Sequence, residues 1–279
     1  MNSTRREQAR RLAKLLLPPI FLKLVMPVRN ERRLVWEGIY PDRRSIATLN
    51  DRYDDDIQVK KHSAWTENAL DALRRGERPV LWHDTLAIVA AIVGASEGKV
   101  RVLDFGGGVG SGYVHLLASL CNNAAIDYHV VELSAMCAEG RRLFSNDKRI
   151  TFHDSLSKFN GQPDIVYVNS VLQYIDDYGE LLRRLAALNA RFVLLARSAV
   201  GNFPTFATKQ LNLQSKILAY WFLNRDEIVG QLKAWGYTSI YEGLDEQEFD
   251  QSNFPETHRI GRMRDLLFCR PATGVTSNN

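Results

Sequence analysis

The 279-residue sequence lacks any uncharged apolar run of about 18 residues, so we expect no membrane-spanning helix. Its three cysteines, Cys121, Cys137 and Cys269, are scattered, and neither a Cys-x-x-Cys nor a His-Glu-x-x-His spacing occurs. An odd and unpatterned set of cysteines predicts free thiols in a reducing compartment, rather than a disulfide framework or a metal site. We therefore predict a cytoplasmic protein without a bound metal.

Basic residues are concentrated at the N-terminus, where residues 1–33 hold nine Lys and Arg against two acids. The remainder lacks the basic residues interleaved with aromatics that typify nucleic-acid binding, so we predict no nucleic-acid partner. Ala9, Leu12, Ala13 and Leu16 recur at the spacing of an amphipathic helix. We predict a basic leader that either packs on the rest of the chain or lies peripherally on the anionic inner face of a membrane.

Residues 34–98 are predicted to form a cap of helices and loops. The aromatic, turn-rich segment 34–64 is either a packed connector or a loop over the substrate. Its acidic run Asp54–Asp56 is interpreted as a solvated turn. Helices are predicted at residues 66–75 and 79–93, since Gly76 and Gly94 mark their ends.

From Lys99 onward, β-type and helix-type segments alternate. Seven strands are predicted, over residues 100–105, 126–132, 150–152, 164–169, 191–196, 237–241 and 265–270. Such alternation is typical of a mostly parallel sheet covered by helices on both faces. We predict one α/β domain, Rossmann-like, over residues 99–270, and a disordered tail over 271–279.

A glycine-rich turn follows the first of these strands. Asp104 ends the strand, Gly106, Gly108 and Gly110 alternate after it, and a helix opens near Ser111. Glycines let a ligand approach the backbone, and a helix N-terminus offers free N–H groups. A dinucleotide fingerprint requires its third glycine at position 111, where serine stands. The pattern acid-x-Gly-x-Gly-x-Gly instead resembles the first motif of class I S-adenosylmethionine-dependent methyltransferases.

This resemblance implies a class I methyltransferase fold and S-adenosyl-L-methionine as the cofactor. It places Asp104 beside the ammonium group of the cofactor, Glu132 at the ribose hydroxyls and Asp154 at the adenine. The predicted cofactor site comprises the turn and the next three strand ends: Asp104, Gly106, Gly107, Gly108, Gly110, Glu132, Leu133, Asp154, Ser155, Asn169 and Ser170.

Longer stretches resemble a family of methyltransferases found in surface-polysaccharide biosynthesis loci. They are DFGGGVGSGYVHL, VVEL, NSVLQYIDD and LLARSAVGNFPTFATKQ. The resemblance implies O-methylation of a sugar in a surface polysaccharide or its precursor, with Gln173, Arg197 and Gln210 binding the substrate. This chain has Arg43 and its two neighbours where that family usually has Ser-Trp.

Methyl transfer to a sugar hydroxyl calls for a general base, usually His or a carboxylate. The candidates for catalysis are His258, in a late loop, and His62, with Tyr174 expected near the methyl group. Two further functions stay open. One is methylation of a small molecule of lipid or secondary metabolism, and the other is a non-catalytic, cofactor-binding role in a glycan assembly complex.

Overall fold

The structure is a computed structural model that describes residues 34–51, 53, 55–79, 85–120, 125–213 and 215–271. The predicted basic leader lies outside the described residues, and so does all but the first residue of the predicted tail. Within those ranges, no helix combines the length and the apolar composition that a membrane span requires.

The elements bear out the alternation of strands and helices. In chain order they are β1 (Trp36–Tyr40), α1 (Asp56–Arg74), α2 (Thr85–Glu97), β2 (Lys99–Phe105), α3 (Ser111–Ser119), β3 (Ala125–Val131), α4 (Ser134–Leu143), β4 (Ile150–His153), β5 (Ile165–Asn169), α5 (Tyr178–Ala186), β6 (Phe192–Ser198), β7 (Val200–Gly201), β8 (Phe206–Gln210), β9 (Leu218–Asn224), α6 (Arg225–Ala234), β10 (Thr238–Glu248) and β11 (Arg262–Cys269).

A seven-stranded sheet of order β10-β11-β6-β5-β2-β3-β4 forms the centre of the chain. The five strands from β6 to β4 in this order run parallel to their neighbours. Only the pairs β11/β6 and β10/β11 are antiparallel. The prediction of a mostly parallel seven-stranded sheet is therefore confirmed, although β10 and β11 are longer than predicted.

Helices cover both faces of this sheet because its strands alternate between two apolar clusters. Leu103, Val166 and Leu195 face one cluster, to which α5 and α6 contribute. Val102 and Tyr167 face the other, to which α1, α2, α3 and α4 contribute. Strands buried on both faces need continuous apolar sequence, and β5 shows it in the run IVYV.

A second sheet of four strands, ordered β1-β8-β9-β7, was not predicted from the sequence. Strand β1 pairs with β8 antiparallel, and β8 pairs with β9, so residues far apart in the chain meet. Trp36 of β1, Phe206 of β8 and Phe222 of β9 pack together in an aromatic cluster on this sheet. The segment 34–98 therefore contributes a strand as well as helices and loops.

Helix α1 begins ten residues earlier than the predicted residue 66, at Asp56. Asp55 is its N-cap, because its side chain accepts a hydrogen bond from the backbone N–H of Gln58 at 2.9 Å. Its carboxylate also pairs with the nearly buried ammonium of Lys216. The described part of the acidic run is thus a helix start and not a solvated turn.

Candidate active site

A cavity of about 1110 Å³ opens at the carboxyl end of the central strands. Strand β2 lies between β3 and β5 and is parallel to both. Because the strand order reverses beside β2, the connections diverge there and leave a crevice, which is where open α/β sheets bind ligands.

The glycine turn, residues 106–110, joins β2 to α3. Gly106, Gly108 and Gly110 have φ angles of 77°, 58° and 96°. These values lie in the left-handed region that glycine enters without steric strain. The N–H of Gly106 donates to the carbonyl of Val131 at 2.8 Å, which fixes the turn to the end of β3.

Asp104 lies beneath this turn and is 1% exposed. Its Oδ2 accepts a hydrogen bond from the hydroxyl of Tyr128 at 2.7 Å. A Cβ built on Gly107 would lie 2.2 Å from the same Oδ2, and one built on Gly112 would lie 2.3 Å from the Tyr128 hydroxyl. The carboxylate therefore supports the turn from below and is not among the described residues that line the cavity, and its contact with the cofactor stays a prediction.

Glu132, directly after β3, presents its carboxylate to the cavity. Oε2 accepts from the N–H of Gly108 at 3.0 Å, and Oε1 accepts from the N–H of Leu133 at 2.7 Å. These bonds hold the carboxylate in place. A carboxylate offers about four lone-pair sites, so such a group can accept several hydrogen bonds at once.

Asp154 follows β4 and also lines the cavity. The ammonium of Lys158 lies 2.6 Å from its Oδ1 and holds the pKa of this carboxyl below its usual range. Asp154 therefore carries its negative charge at neutral pH. Ser155 beside it starts a short 3₁₀ turn by accepting from the N–H of Ser157.

The structure brings most of the predicted cofactor residues together. Those that line the cavity are Gly106, Gly108, Glu132, Leu133, Asp154, Ser155, Asn169 and Ser170. Gly107 and Gly110 belong to the same turn without lining the cavity. Among the described residues that line the cavity directly after β2, β3, β4 and β5, none is Lys or Arg, and the ammonium of Lys158 reaches this end through its pair with Asp154. This end of the cavity thus offers carboxylates, hydroxyls and backbone groups.

Of the residues predicted for catalysis and substrate binding, four do not line the cavity: Arg197, His258, Gln173 and Gln210. The backbone N–H of Arg197 donates to Asp265, and its Nε donates to Asp245 at 2.9 Å. His258 packs edge-on against Phe206, with ring centroids 5.1 Å apart. Gln173 is fully buried.

Tyr174 also lines the cavity, and Gln210 fixes the Tyr174 hydroxyl without lining the cavity itself. The Tyr174 hydroxyl donates to Oε1 of Gln210 at 2.9 Å, whose Nε2 donates to Asn212 at 2.9 Å. The ring of Tyr53 lies 5.1 Å from that of Tyr174. Burial raises the pKa of both tyrosine hydroxyls, so both stay protonated and act as hydrogen-bond donors.

His62, on α1, lines the cavity beside the glycine turn. Its Nδ1 lies 3.4 Å from the position of a Cβ built on Gly108. Burial, and then the charge of Lys61, lowers the pKa of this imidazole below its ordinary value. His62 is therefore neutral at pH 7, the state in which a histidine accepts a proton.

Several lining residues were not singled out from the sequence. They are Arg43, Thr48, Asp51 and Tyr53 from the segment before α1, and Leu218 and Ala219 from β9. The aromatic, turn-rich composition of residues 34–64 was the available signal, and it left a packed connector and a loop over the substrate open. The structure shows that part of this segment lines the cavity.

A family model described as "Methyltransferase domain" matches residues 63–241. No curated protein matches the chain. Similar solved structures include magnesium protoporphyrin IX methyltransferase from Synechocystis PCC 6803 with bound S-adenosylhomocysteine, at 16% identity and a TM-score of 0.47, covering 76% of this chain and 99% of that one. Another is 1,6-didemethyltoxoflavin-N1-methyltransferase from Burkholderia thailandensis, at 17% identity and a TM-score of 0.44, covering 76% and 88%.

The contact between the glycine turn and Asp104 predicts that Gly107→Ala is destabilising. Its Cβ would meet the buried carboxylate, and overpacking of this kind costs about 1–3 kcal/mol of the free energy of unfolding. Urea unfolding followed by circular dichroism measures the change. Gly230→Ala in α6 is the control, since its Cβ meets nothing within 4 Å and the helix should keep or gain stability. Equal stability of both variants would contradict the packing described.

Proposed function

Because the chain belongs to the methyltransferase domain family, we propose that it transfers a methyl group from S-adenosylmethionine to an oxygen of a sugar in a surface polysaccharide or its precursor. The observation that carries the donor is the set of groups at one end of the cavity, where the carboxylates of Glu132 and Asp154, at the ends of two successive strands, lie beside the glycine turn. The sugar acceptor rests on the motif resemblance of residues 104–116, 130–133, 169–177 and 194–210.

These residues fit the proposed cofactor. When bound, S-adenosylmethionine supplies an electrophilic methyl group on a sulfonium cation, and it carries no phosphate. Glu132 would hold the ribose hydroxyls, and Asp154 would hold the adenine. The backbone of Gly106 and Gly108 would contact the methionine end. Asp104 acts through the turn that it supports, and Ser111, which stands where a dinucleotide fingerprint has its third glycine, disfavours a dinucleotide.

The proposed acceptor end is the part of the cavity lined by Tyr53 and Tyr174, and the proposed base, His62, lies beside the glycine turn. His62 would take the proton of the acceptor hydroxyl on a ring nitrogen as the acceptor oxygen bonds to the methyl carbon and the bond from that carbon to the donor sulfur breaks. Tyr174, whose one O–H donates to Gln210, can accept a hydrogen bond on its oxygen, and Tyr53 stays protonated beside it. Holding both reactants in line supplies much of the rate acceleration for a transfer of this kind.

For the donor, we expect S-adenosylmethionine to bind in isothermal titration calorimetry and NAD not to bind. Glu132→Ala should weaken that binding at least about tenfold, since hydrogen bonds to charged groups contribute about 1.5–3 kcal/mol. Glu246→Ala, an exposed acid on β10, is the matched control and should bind as the parent does. Thermal melting checks that each variant is folded. Binding of NAD in place of S-adenosylmethionine would overturn the proposal.

For the acceptor, we expect the surface glycan of cells that express the chain to be heavier by one methyl group per repeat than that of cells lacking it. Mass spectrometry of the released glycan measures the difference. A methyl group found on a lipid or another small molecule, with an unchanged glycan, would replace the sugar acceptor by the small-molecule alternative. S-adenosylmethionine binding without any methylated product would favour the non-catalytic role.

On the acceptor so identified, His62→Gln should lower kcat by roughly 10²–10⁴-fold, the usual contribution of a general base. The affinity for S-adenosylmethionine should change little. Because burial lowers the pKa of His62, the rate of the parent should fall only as the pH drops well below 6.5, and the variant should lose this dependence. His258→Gln is the control and should keep the parent's kcat. A pH profile of His62→Gln identical to the parent's would exclude His62 as the base.

A further inference from the structure

Arg43 places a buried guanidinium at the acceptor end of the cavity. The residue lies on the turn after β1, and it lines the cavity with its side chain only 13% exposed. Its Nε and Nη1 atoms are buried and have no hydrogen-bond partner among the described residues. Its ion-pair partner there is Asp176, whose Oδ1 lies 3.3 Å from Nη1.

This arrangement leaves the N–H groups of Arg43 short of hydrogen bonds, and an exposed carboxylate is the partner for its charge. Burial lowers the pKa of Arg43, which shows that the charged form is held at a cost in free energy. Asp176 is 74% exposed, so its carboxylate is free to be displaced into solvent. A ligand that brought two oxygens to the planar guanidinium would supply the missing hydrogen bonds.

The other acids around Arg43 have hydrogen-bond or ion-pair partners of their own. Asp42 accepts from the backbone N–H of Arg44 at 2.9 Å, and Asp51 accepts from the hydroxyl of Thr48 at 2.8 Å. Asp177 caps the N-terminus of α5, and Glu180 pairs with Arg183.

A second cation lines the same cavity. Arg184 is exposed and lies on the cavity side of α5. It forms no ion pair within the part of the chain that the structure describes. Arg197, the arginine that the sequence indicated for the substrate, is paired with Asp245 instead.

We propose that Arg43 binds an anionic oxygen group of the acceptor, a phosphate or a carboxylate, and that it thereby selects a charged sugar or sugar precursor over a neutral one. This inference rests on the proposed function, because it names the acceptor class of the same cavity. Phosphate and carboxylate share the geometry of paired oxygens that a guanidinium recognises.

The test is a titration of the full-length protein with inorganic pyrophosphate, glucuronate and glucose, followed by isothermal calorimetry at low salt. We expect one of the two anions to bind and glucose not to bind. Binding of pyrophosphate alone would identify a phosphorylated precursor, and binding of glucuronate alone would identify a uronic acid. Arg43→Gln should weaken the anion about tenfold to a hundredfold, as loss of a charge-assisted hydrogen bond predicts.

Arg44→Gln is the matched control, because it removes the same charge from the exposed neighbour in the same turn. It should bind as the parent does. Arg43→Lys, which keeps the charge without the planar fork, should be intermediate, and it serves as the second variant if Arg43→Gln does not fold. Absence of anion binding to the parent, or equal weakening by Arg43→Gln and Arg44→Gln, would overturn the inference.

S-adenosylmethionine binding separates the two proposals. If the parent and Arg43→Gln both bind S-adenosylmethionine, but neither binds pyrophosphate or glucuronate more tightly than glucose, only the acceptor inference fails. If the parent does not bind S-adenosylmethionine, the proposed function fails first.

Discussion

The contact between Asp104 and the glycine turn is the constraint on which the rest of the site depends. A buried carboxylate is costly unless it is hydrogen-bonded, and the Tyr128 hydroxyl supplies one such bond at 2.7 Å. The turn can lie directly over this carboxylate because Gly107 and Gly112 have no Cβ. With the turn in that position, the N–H of Gly108 reaches Glu132, and the ends of β2 and β3 act as one unit.

The second sheet completes the cavity on the side opposite the glycine turn. Leu218 and Ala219 of β9 line it directly, while Gln210 of β8 holds the Tyr174 hydroxyl. The segment before α1 is anchored to the same sheet, because its strand β1 pairs with β8. Under the proposed function, the parallel sheet would position the cofactor and the antiparallel sheet would shape the part of the cavity that holds the acceptor.

The sequence indicated the residues after the parallel strands that meet at the cavity, but not those that reach it from the segment before α1, for a physical reason. Glu132, Asp154 and Asn169 each follow a strand whose apolar run is visible locally, and parallel strands bring such ends to one edge. Arg43 and Tyr53 reach the cavity only because β1 pairs with β8, about 170 residues along the chain, and no local pattern reveals that pairing. The early start of α1 was missed for a different reason. Asp is a residue type that caps helices, but the charge of the run Asp54–Asp56 indicated a solvated turn, so Asp55 was not recognised as the N-cap.

The polar groups that line the cavity would sort its ligands. Two backbone N–H groups hold the carboxylate of Glu132, and Lys158 pairs with Asp154, so both carboxylates are fixed before a cofactor binds. Arg43 brings buried N–H groups that have no hydrogen-bond partner among the described residues. A neutral acceptor would leave these N–H groups unpaired, and specificity gains as much from such penalties as from good contacts. Under the proposed mechanism, His62 is neutral beside the glycine turn and accepts the proton of the acceptor hydroxyl, so the base and the anion-binding group are different side chains.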